Sequence, residues 1–189
     1  YDVFEVNIVA TVDSGFCLSV SEVYPSPIWD ERFDLLKLDK FGNKIIQKSS
    51  VWSNVSNAGR IYWMQKEKFG TYINAFWGQP GGSAFFAKLD TSLNIVFSKS
   101  LSNGFSSVLT LDSGGLTSGY LIAGLDKTIF PWRVSLSKLD TLGNYLWSKS
   151  YTGNNYQNRI RALEQVDSAF YALEMGEDKI GIRKVDFNG

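Results

Sequence analysis

The sequence predicts an all-β protein made of four similar repeats of about 47 residues, each containing four short antiparallel strands. A Lys-Leu-Asp or Lys-Val-Asp triplet recurs along the chain, with its lysine at Lys37, Lys88, Lys138 and Lys184. Successive lysines are 51, 50 and 46 residues apart, and apolar residues recur at alternate positions before each one. Four-stranded units that repeat every 40 to 50 residues or so are typical of β-propeller blades, so we expect a closed four-bladed propeller or part of a larger one.

We treat residues 1–189 as a single propeller-type region, with repeats at approximately 1–50, 51–101, 102–151 and 152–189. The last repeat stops within its turn and is expected to lack its outer strand. Either the segment from Tyr1 to Val6 supplies that strand and closes a ring, or the chain continues in a longer protein, or another molecule donates a strand. Because Phe4 aligns with the first strand of a repeat, we favour continuation or donation over closure.

The first two strands of each repeat have the weaker signature, with short apolar segments separated by polar or glycine-containing turns. We expect them at Phe4–Val12 with Gly15–Val20, Arg60–Met64 with Gly70–Ala75, Val108–Leu111 with Gly119–Ala123, and Ile160–Leu163 with Ala169–Leu173.

The third strand contains the repeated lysine, and we predict that one of its faces is buried. The residues two and four positions before the lysine are apolar and lie on one face of an extended strand. They are Leu35 and Phe33, Phe86 and Ala84, Leu136 and Val134, and Ile182 and Ile180. The residue after the lysine is also apolar, which breaks the alternation and predicts a local bulge or a strand between two layers.

A turn of the form Asp-x-x-Gly-Asn follows, as at Asp39 to Asn43. Aspartate accepts backbone hydrogen bonds there and glycine tolerates positive φ, so the pattern predicts a tight hairpin. In the second repeat Leu93 and Asn94 stand in place of Gly and Asn, and we expect Asn94 to take the left-handed conformation. The fourth strands are expected at 44–48, 95–99 and 145–149.

The phrase Lys-Leu-Asp-x-x-Gly-Asn-x-x-Trp-x-Lys-Ser, from Lys138 to Ser150, resembles the propeller repeats of large secreted and cell-surface proteins from bacteria and some protists. An Asp-Ser-Gly triplet stands upstream at Asp13 and again at Asp112. The resemblance covers essentially the whole chain and implies a fold, a place outside the cell or on its surface, and no particular activity.

Composition narrows the possible partners. There are 19 basic and 19 acidic residues without a basic stripe, which argues against nucleic acid. Lys66 and Lys68, separated by Glu67, form the only dense positive spot and are interpreted as a solvated turn. The single cysteine, Cys17, is interpreted as a buried apolar residue. No apolar run is long enough for membrane insertion, and Asn54 begins an N-glycosylation triplet.

The residue types argue against an enzyme. The chain has no histidine, which removes the usual general base and nearly every zinc site. Paired carboxylates remain formally available in loops, from Asp30, Glu31, Asp126, Glu177 and Asp178, but no fixed spacing pairs them. The Asp turns each offer one carboxylate, too few for calcium. We therefore expect no catalytic residue, no metal site and no cofactor.

Aromatic residues beside prolines stand in the loops between second and third strands, where repeat proteins usually bind partners. The candidate binding residues are Tyr24, Trp29, Trp77, Phe130 and Trp132. They would stack on sugars or anchor a protein, or alternatively fold back over the core. The sequence thus predicts a structural or adhesive module that contacts a protein partner or copies of itself through an unpaired strand position, with carbohydrate binding as the alternative.

Overall fold

The computed structural model describes residues 2–24, 30–49, 60–67, 73–78, 84–101, 104–126, 133–151, 159–167, 169–175 and 180–188. These residues form fifteen β-strands and no helix. The strands are β1 (Asp2–Ala10), β2 (Phe16–Tyr24), β3 (Asp30–Leu38), β4 (Lys44–Ser49), β5 (Arg60–Lys66), β6 (Ile73–Gly78), β7 (Ala84–Leu89), β8 (Ile95–Leu101), β9 (Gly104–Ser113), β10 (Leu116–Asp126), β11 (Arg133–Leu139), β12 (Tyr145–Tyr151), β13 (Arg159–Val166), β14 (Ala169–Met175) and β15 (Ile180–Asp186).

Strands that follow one another in the sequence are neighbours in four sheets. The first sheet is β1–β4, the second β5–β8, the third β9–β12 and the fourth β13–β15. Every pair whose register is defined is antiparallel, so the predicted all-β, antiparallel architecture is confirmed. The fourth sheet has three described strands, so the prediction of four four-stranded blades is not met.

Each sheet has two faces, and the repeat defines them. We call the face that carries the repeated lysine the lysine face, and the other face the reverse face. Paired residues on neighbouring antiparallel strands point to the same side, so the register extends this definition across each sheet. Cys17, for example, pairs with Lys37 and therefore lies on the lysine face of the first sheet.

The chain divides into two compact units, Tyr1–Ser100 and Leu101–Gly189. In the first unit, the lysine face of the first sheet packs on the reverse face of the second, with β1 against β5. Cys17 and Leu35 from the first sheet meet Ile61, Met64 and Leu89 from the second in one apolar core. Polar contacts cross the same interface, since the Asn7 side-chain amide donates to the Ile61 carbonyl over 3.0 Å.

The second unit repeats this arrangement. The lysine face of the third sheet packs on the reverse face of the fourth, with β9 against β13. Val134 and Leu136 from the third sheet lie in one core with Ile160, Phe170 and Val185 from the fourth. The same pair of faces is therefore buried in both units.

The predicted buried face of the third strands is confirmed in part. Leu35, Phe86 and Leu136 are fully buried, as are the side chains of Ala84 and Val134. The prediction is wrong for Ile180 and Ile182, which are 72% and 73% exposed. The reason is that these two residues lie on the lysine face of the fourth sheet, and no described residue covers that face. The side chain of Phe33 is outside the described part.

The break in alternation after the repeated lysine is a bulge, as predicted. The register shifts between Lys37 and Leu38 in the first sheet and between Lys138 and Leu139 in the third. A glycine faces the carbonyl after each bulge: a Cβ on Gly15 would lie well inside contact distance of the Leu38 oxygen. Gly119 stands in the same relation to the Leu139 oxygen. At both bulges, therefore, the close approach of the carbonyl requires a glycine on the neighbouring strand.

The Asp turns have the predicted hydrogen bonds. Asp39 Oδ1 accepts from the backbone N–H groups of Phe41 and Asn43 over 2.8 and 2.9 Å, and Asp39 Oδ2 accepts from the Asn43 side chain. Asp90 and Asp140 make the same set of bonds. These hydrogen bonds lower the pKa of Asp39.

The prediction that Asn94 takes the left-handed conformation is wrong, because Leu93 does so, with φ of 59°. The asparagine must place its N–H and its amide on Asp90, and this fixes the positive φ at the preceding position, as in the first and third copies of the turn. Gly42 and Gly143 stand at that position in the first and third copies, with φ of 86° and 78°. Leu93 is fully buried in the core of the first unit, and this burial offsets its backbone strain.

Candidate interaction surface

The repeated lysine connects one sheet to the next. Lys37 is buried on β3, and its Nζ donates to the Thr91 carbonyl over 2.9 Å, which lies in the turn of the second sheet. In the second unit, Lys138 Nζ donates to the Phe187 carbonyl over 3.4 Å, in the turn of the fourth sheet. Thr91 and Phe187 each directly follow the turn aspartate. The same donor position therefore reaches the same acceptor position in both units.

Aromatic rings reinforce the contact of Lys138. Its Nζ lies 5.9 Å from the Phe170 ring centroid and 5.2 Å from that of Phe187, and these two rings stack on each other. Trp147 Nε1 also donates to the Phe187 carbonyl, over 3.1 Å. The ammonium group is thus held by a carbonyl and two ring faces, which is a favourable setting for a desolvated cation.

Two of the lysines also have carboxylate partners. Lys37 Nζ lies 2.7 Å from Asp13 Oδ2, and Lys88 Nζ lies 2.9 Å from Glu67 Oε1. The Glu67 side chain is only 2% exposed. The interpretation of residues 66–68 as a solvated turn is therefore wrong for Glu67: the buried ammonium of Lys88 requires a counter-charge, and Glu67 supplies it.

The Asp13 pair predicts an acid-dependent loss of stability. The hydrogen bond from Lys37 lowers the pKa of Asp13 to about 2. A carboxyl group whose pKa is depressed on folding stabilises the fold above its unfolded pKa of about 3.9, and this contribution is lost as the pH falls toward 2. We expect urea unfolding of the wild type to lose stability over this interval, and Asp13→Asn to lose less. Equal losses in the two proteins would contradict this prediction.

The interpretation of Cys17 as a buried apolar residue is confirmed. Its Sγ lies 3.8 Å from Met64 Sδ in the core, and burial raises the pKa of the thiol to about 12. The reactive species is the thiolate, so we expect iodoacetamide at pH 8 to modify the native chain very slowly. In urea the thiol should react at the rate of a free cysteine. Rapid alkylation of the native protein, followed by mass spectrometry, would contradict the prediction.

The lysine face of the fourth sheet is apolar and exposed. Leu173 pairs with Ile182 and Met175 with Ile180, so their side chains share this face. Lys184 lies on it too, opposite Tyr171, with its Nζ 5.8 Å from the ring centroid. The equivalent positions in the third sheet, Val134 and Leu136, are buried. Along β14 and β15 this face is therefore mostly apolar, whereas Glu164 of β13 lies on it opposite Tyr171.

The reverse face of the first sheet is also apolar and exposed. Val6 pairs with Val20 and Ile8 with Leu18, and Val6 and Ile8 are 54% and 62% exposed. Phe16 stands on this face opposite Leu38. By register, Val6 and Ile8 occupy the positions in the first sheet that Ile61 and Met64 occupy in the second. Ile61 and Met64 are buried. Contiguous exposed apolar surface is typical of interaction sites in proteins.

The predicted aromatic binding residues lie mostly outside the described part of the chain. Trp29, Phe130 and Trp132 are not described, and neither is the glycosylation candidate Asn54. Tyr24 is the last residue of β2, and Trp77 lies within β6, opposite Ile61 and Phe85, although the sequence placed both in loops. The role of these five residues therefore stays a prediction.

The structure describes three of the five candidate acidic residues. Asp126 is buried and accepts a 2.6 Å hydrogen bond from Ser150 Oγ. Asp30 and Glu31 lie in β3, whereas Glu177 and Asp178 are outside the described ranges. Within those ranges no three His, Cys, Asp or Glu side chains converge as metal ligands. No helix in them is long and apolar enough to cross a membrane.

From the sequence, the repeated lysine served only to align the repeats, and its contacts were not predicted. The signal was present, because a lysine on the apolar side of a strand needs a partner when that side is buried. Its acceptors, a carbonyl and a carboxylate 54 and 24 residues away for Lys37, have no local signature. Comparison with known proteins finds neither a family model nor a curated protein that matches the chain.

Proposed function

We propose that this protein is a non-catalytic structural or adhesive interaction module of an extracellular or cell-surface protein, which self-assembles through its fourth sheet. The observation that carries the proposal is the exposure of Ile180 and Ile182, at 72% and 73%, in positions that are buried in other repeats. Large apolar side chains aligned on one strand are costly to leave in water and favour association. The extracellular placement is supported by the resemblance of the repeat phrase alone.

The edge of the fourth sheet supports the same function. In the third sheet, β11 has neighbours on both sides, β10 and β12. Its counterpart β15 pairs with β14, and no described residue pairs with its other edge. An open edge offers backbone N–H and C=O groups to a further strand. A further strand, from a longer chain or from another molecule, is therefore the partner that this edge would accept.

The contacts of the buried polar groups support a binding function over a catalytic one. Asp13 and Glu67 neutralise Lys37 and Lys88, and Asp126 accepts a hydrogen bond from Ser150. Each of these contacts joins strands or sheets within one compact unit. These are the roles of groups that hold a scaffold together, so we propose no catalytic residue, cofactor or metal.

Concentration-dependent sedimentation velocity with hydrogen exchange tests this function. We expect the chain to self-associate, and protection of the β15 amides that rises with concentration would show that the association uses this edge. The amides of β4, the outer strand of the first sheet, serve as the control and should not change. A chain that remains monomeric, or association without added protection in β15, would refute assembly through this edge.

The carbohydrate-binding alternative depends on Trp29, Trp77 and Trp132. Their side chains are outside the described part, so no contact supports this alternative, and it stays a prediction.

A further inference from the structure

Two sheet faces that are buried elsewhere in the chain are exposed, and they are of opposite kinds. The fourth sheet exposes its lysine face and the first sheet exposes its reverse face. In both compact units, a lysine face packs on a reverse face. Each exposed face is therefore chemically suited to the other.

We propose that copies of this chain associate head to tail, with the lysine face of the fourth sheet of one copy stacked on the reverse face of the first sheet of the next. This inference rests on the proposed function, because it takes a second copy as the partner, but it replaces pairing at the strand edge with stacking of faces. The new interface repeats a packing that occurs twice within the chain.

The apolar contacts of the proposed interface follow from the repeat. In the second unit, Val134 and Leu136 pack in one core with Ile160, Leu163 and Phe170. Their counterparts on the two exposed faces are Ile180 and Ile182 on one copy and Val6, Ile8 and Phe16 on the other. Every one of these positions is occupied by an apolar residue of similar size, which gives the interface an apolar centre. Glu164, opposite Tyr171, and Asp34, opposite Val20, also lie on the two faces.

The lysine supplies the specific contact. Lys37 donates to the carbonyl of Thr91 and Lys138 to that of Phe187, each directly after a turn aspartate. The residue after the turn aspartate in the first sheet is Lys40. Lys184 Nζ would therefore donate to the Lys40 carbonyl of the next copy. Phe16, the counterpart of Phe170, would offer its ring to the same ammonium group.

The stacked faces are different surfaces, so the association is heterologous and adds copies in one direction. A charge on either face blocks one end of a copy and leaves the other end active. We expect Ile182→Asp and Ile8→Asp each to weaken self-association by at least about a hundredfold, because each places a carboxylate in an apolar interface. Both residues are exposed in the single copy, so both variants should fold, as circular dichroism would verify.

The decisive experiment mixes the two single variants. Sedimentation equilibrium should show each variant alone as a monomer, and the equimolar mixture as a one-to-one dimer, since only one productive interface remains. Leu142→Asp, at an exposed turn position outside both faces, is the matched control and should associate like the wild type. Val6→Asp replaces Ile8→Asp if that variant is unfolded.

The outcomes separate this inference from the proposed function. If Ile182→Asp blocks association and Ile8→Asp does not, the fourth sheet binds by its edge or to another fourth sheet; stacking is overturned and the proposed function stands. If the mixture of variants stays monomeric, head-to-tail stacking is likewise overturned. A wild-type chain that is monomeric at all concentrations overturns both.

Discussion

Gly15→Ala is expected to destabilise the first compact unit by about 3 kcal/mol, the upper part of the range for overpacking. The added Cβ would meet the Leu38 carbonyl oxygen, which belongs to backbone and cannot move aside as a flexible side chain can. That carbonyl is fixed by the bulge after Lys37 and by the pairing of Phe16 with Leu38. Urea unfolding monitored by tryptophan fluorescence measures the loss.

Three further glycines separate the steric effect from the effect of backbone conformation. A Cβ on Gly42 meets nothing within 4 Å, but its φ is 86°, so Gly42→Ala should cost about 1 kcal/mol through conformation alone. In the second unit, Gly119 combines both effects. Gly181 has neither, and Gly181→Ala should change stability by less than about 0.5 kcal/mol. Equal costs at Gly15 and Gly181 would show that the close approach to the carbonyl is not limiting.

Glu67→Gln is expected to cost about 3 to 5 kcal/mol, the range measured when one partner of a buried ion pair is removed. The variant keeps the size of the side chain and removes the buried carboxylate charge that pairs with the Lys88 ammonium. Because the penalty comes from the charge that is lost, adding Lys88→Met to Glu67→Gln should recover much of the loss. Urea unfolding at neutral pH measures the stability of the wild type, of Glu67→Gln and of the double variant.

The Lys37 and Asp13 pair is the matched control, since its lysine holds the same place in the repeat. Asp13 is 49% exposed, and ion pairs with an exposed partner contribute little. Asp13→Asn should therefore cost less than about 1 kcal/mol at neutral pH. A double variant of Glu67 and Lys88 that is no more stable than Glu67→Gln would show that lost packing, and not the buried charge, causes the effect.

Local patterns predicted most of the secondary structure. Alternating apolar residues located the third strands, and the Asp turns placed the hairpins that follow them, because both signals act within a few residues. The bulge after the lysine was also predicted from the extra apolar residue at Leu38 and Leu139. Leu93 shows the limit: its positive φ is imposed by Asp90 and Asn94, whereas the prediction relied on residue preference alone.

Packing between sheets was harder to predict. Ile180 and Ile182 carry the same pattern as Val134 and Leu136, so the sequence gives no sign that one pair is covered and the other exposed. The difference depends on which sheet faces each strand, which is a tertiary property. The partners of Lys37 and Lys88 could not be predicted for the same reason, since they come from segments distant in the sequence or, for Glu67, from a stretch that resembles a solvent-exposed turn.

The Asp turns have a consequence for the order of folding. The turns at Asp39, Asp90 and Asp140 each close a loop of five residues with hydrogen bonds made inside the loop. In the third, the Asp140 backbone N–H donates to the Asn144 carbonyl over 2.9 Å. Closing so short a loop costs little chain entropy, and hairpins of this kind form within microseconds. Such hairpins can form before the sheets meet, so we expect the docking of one sheet on another, and not the formation of the hairpins, to be the slow step of folding.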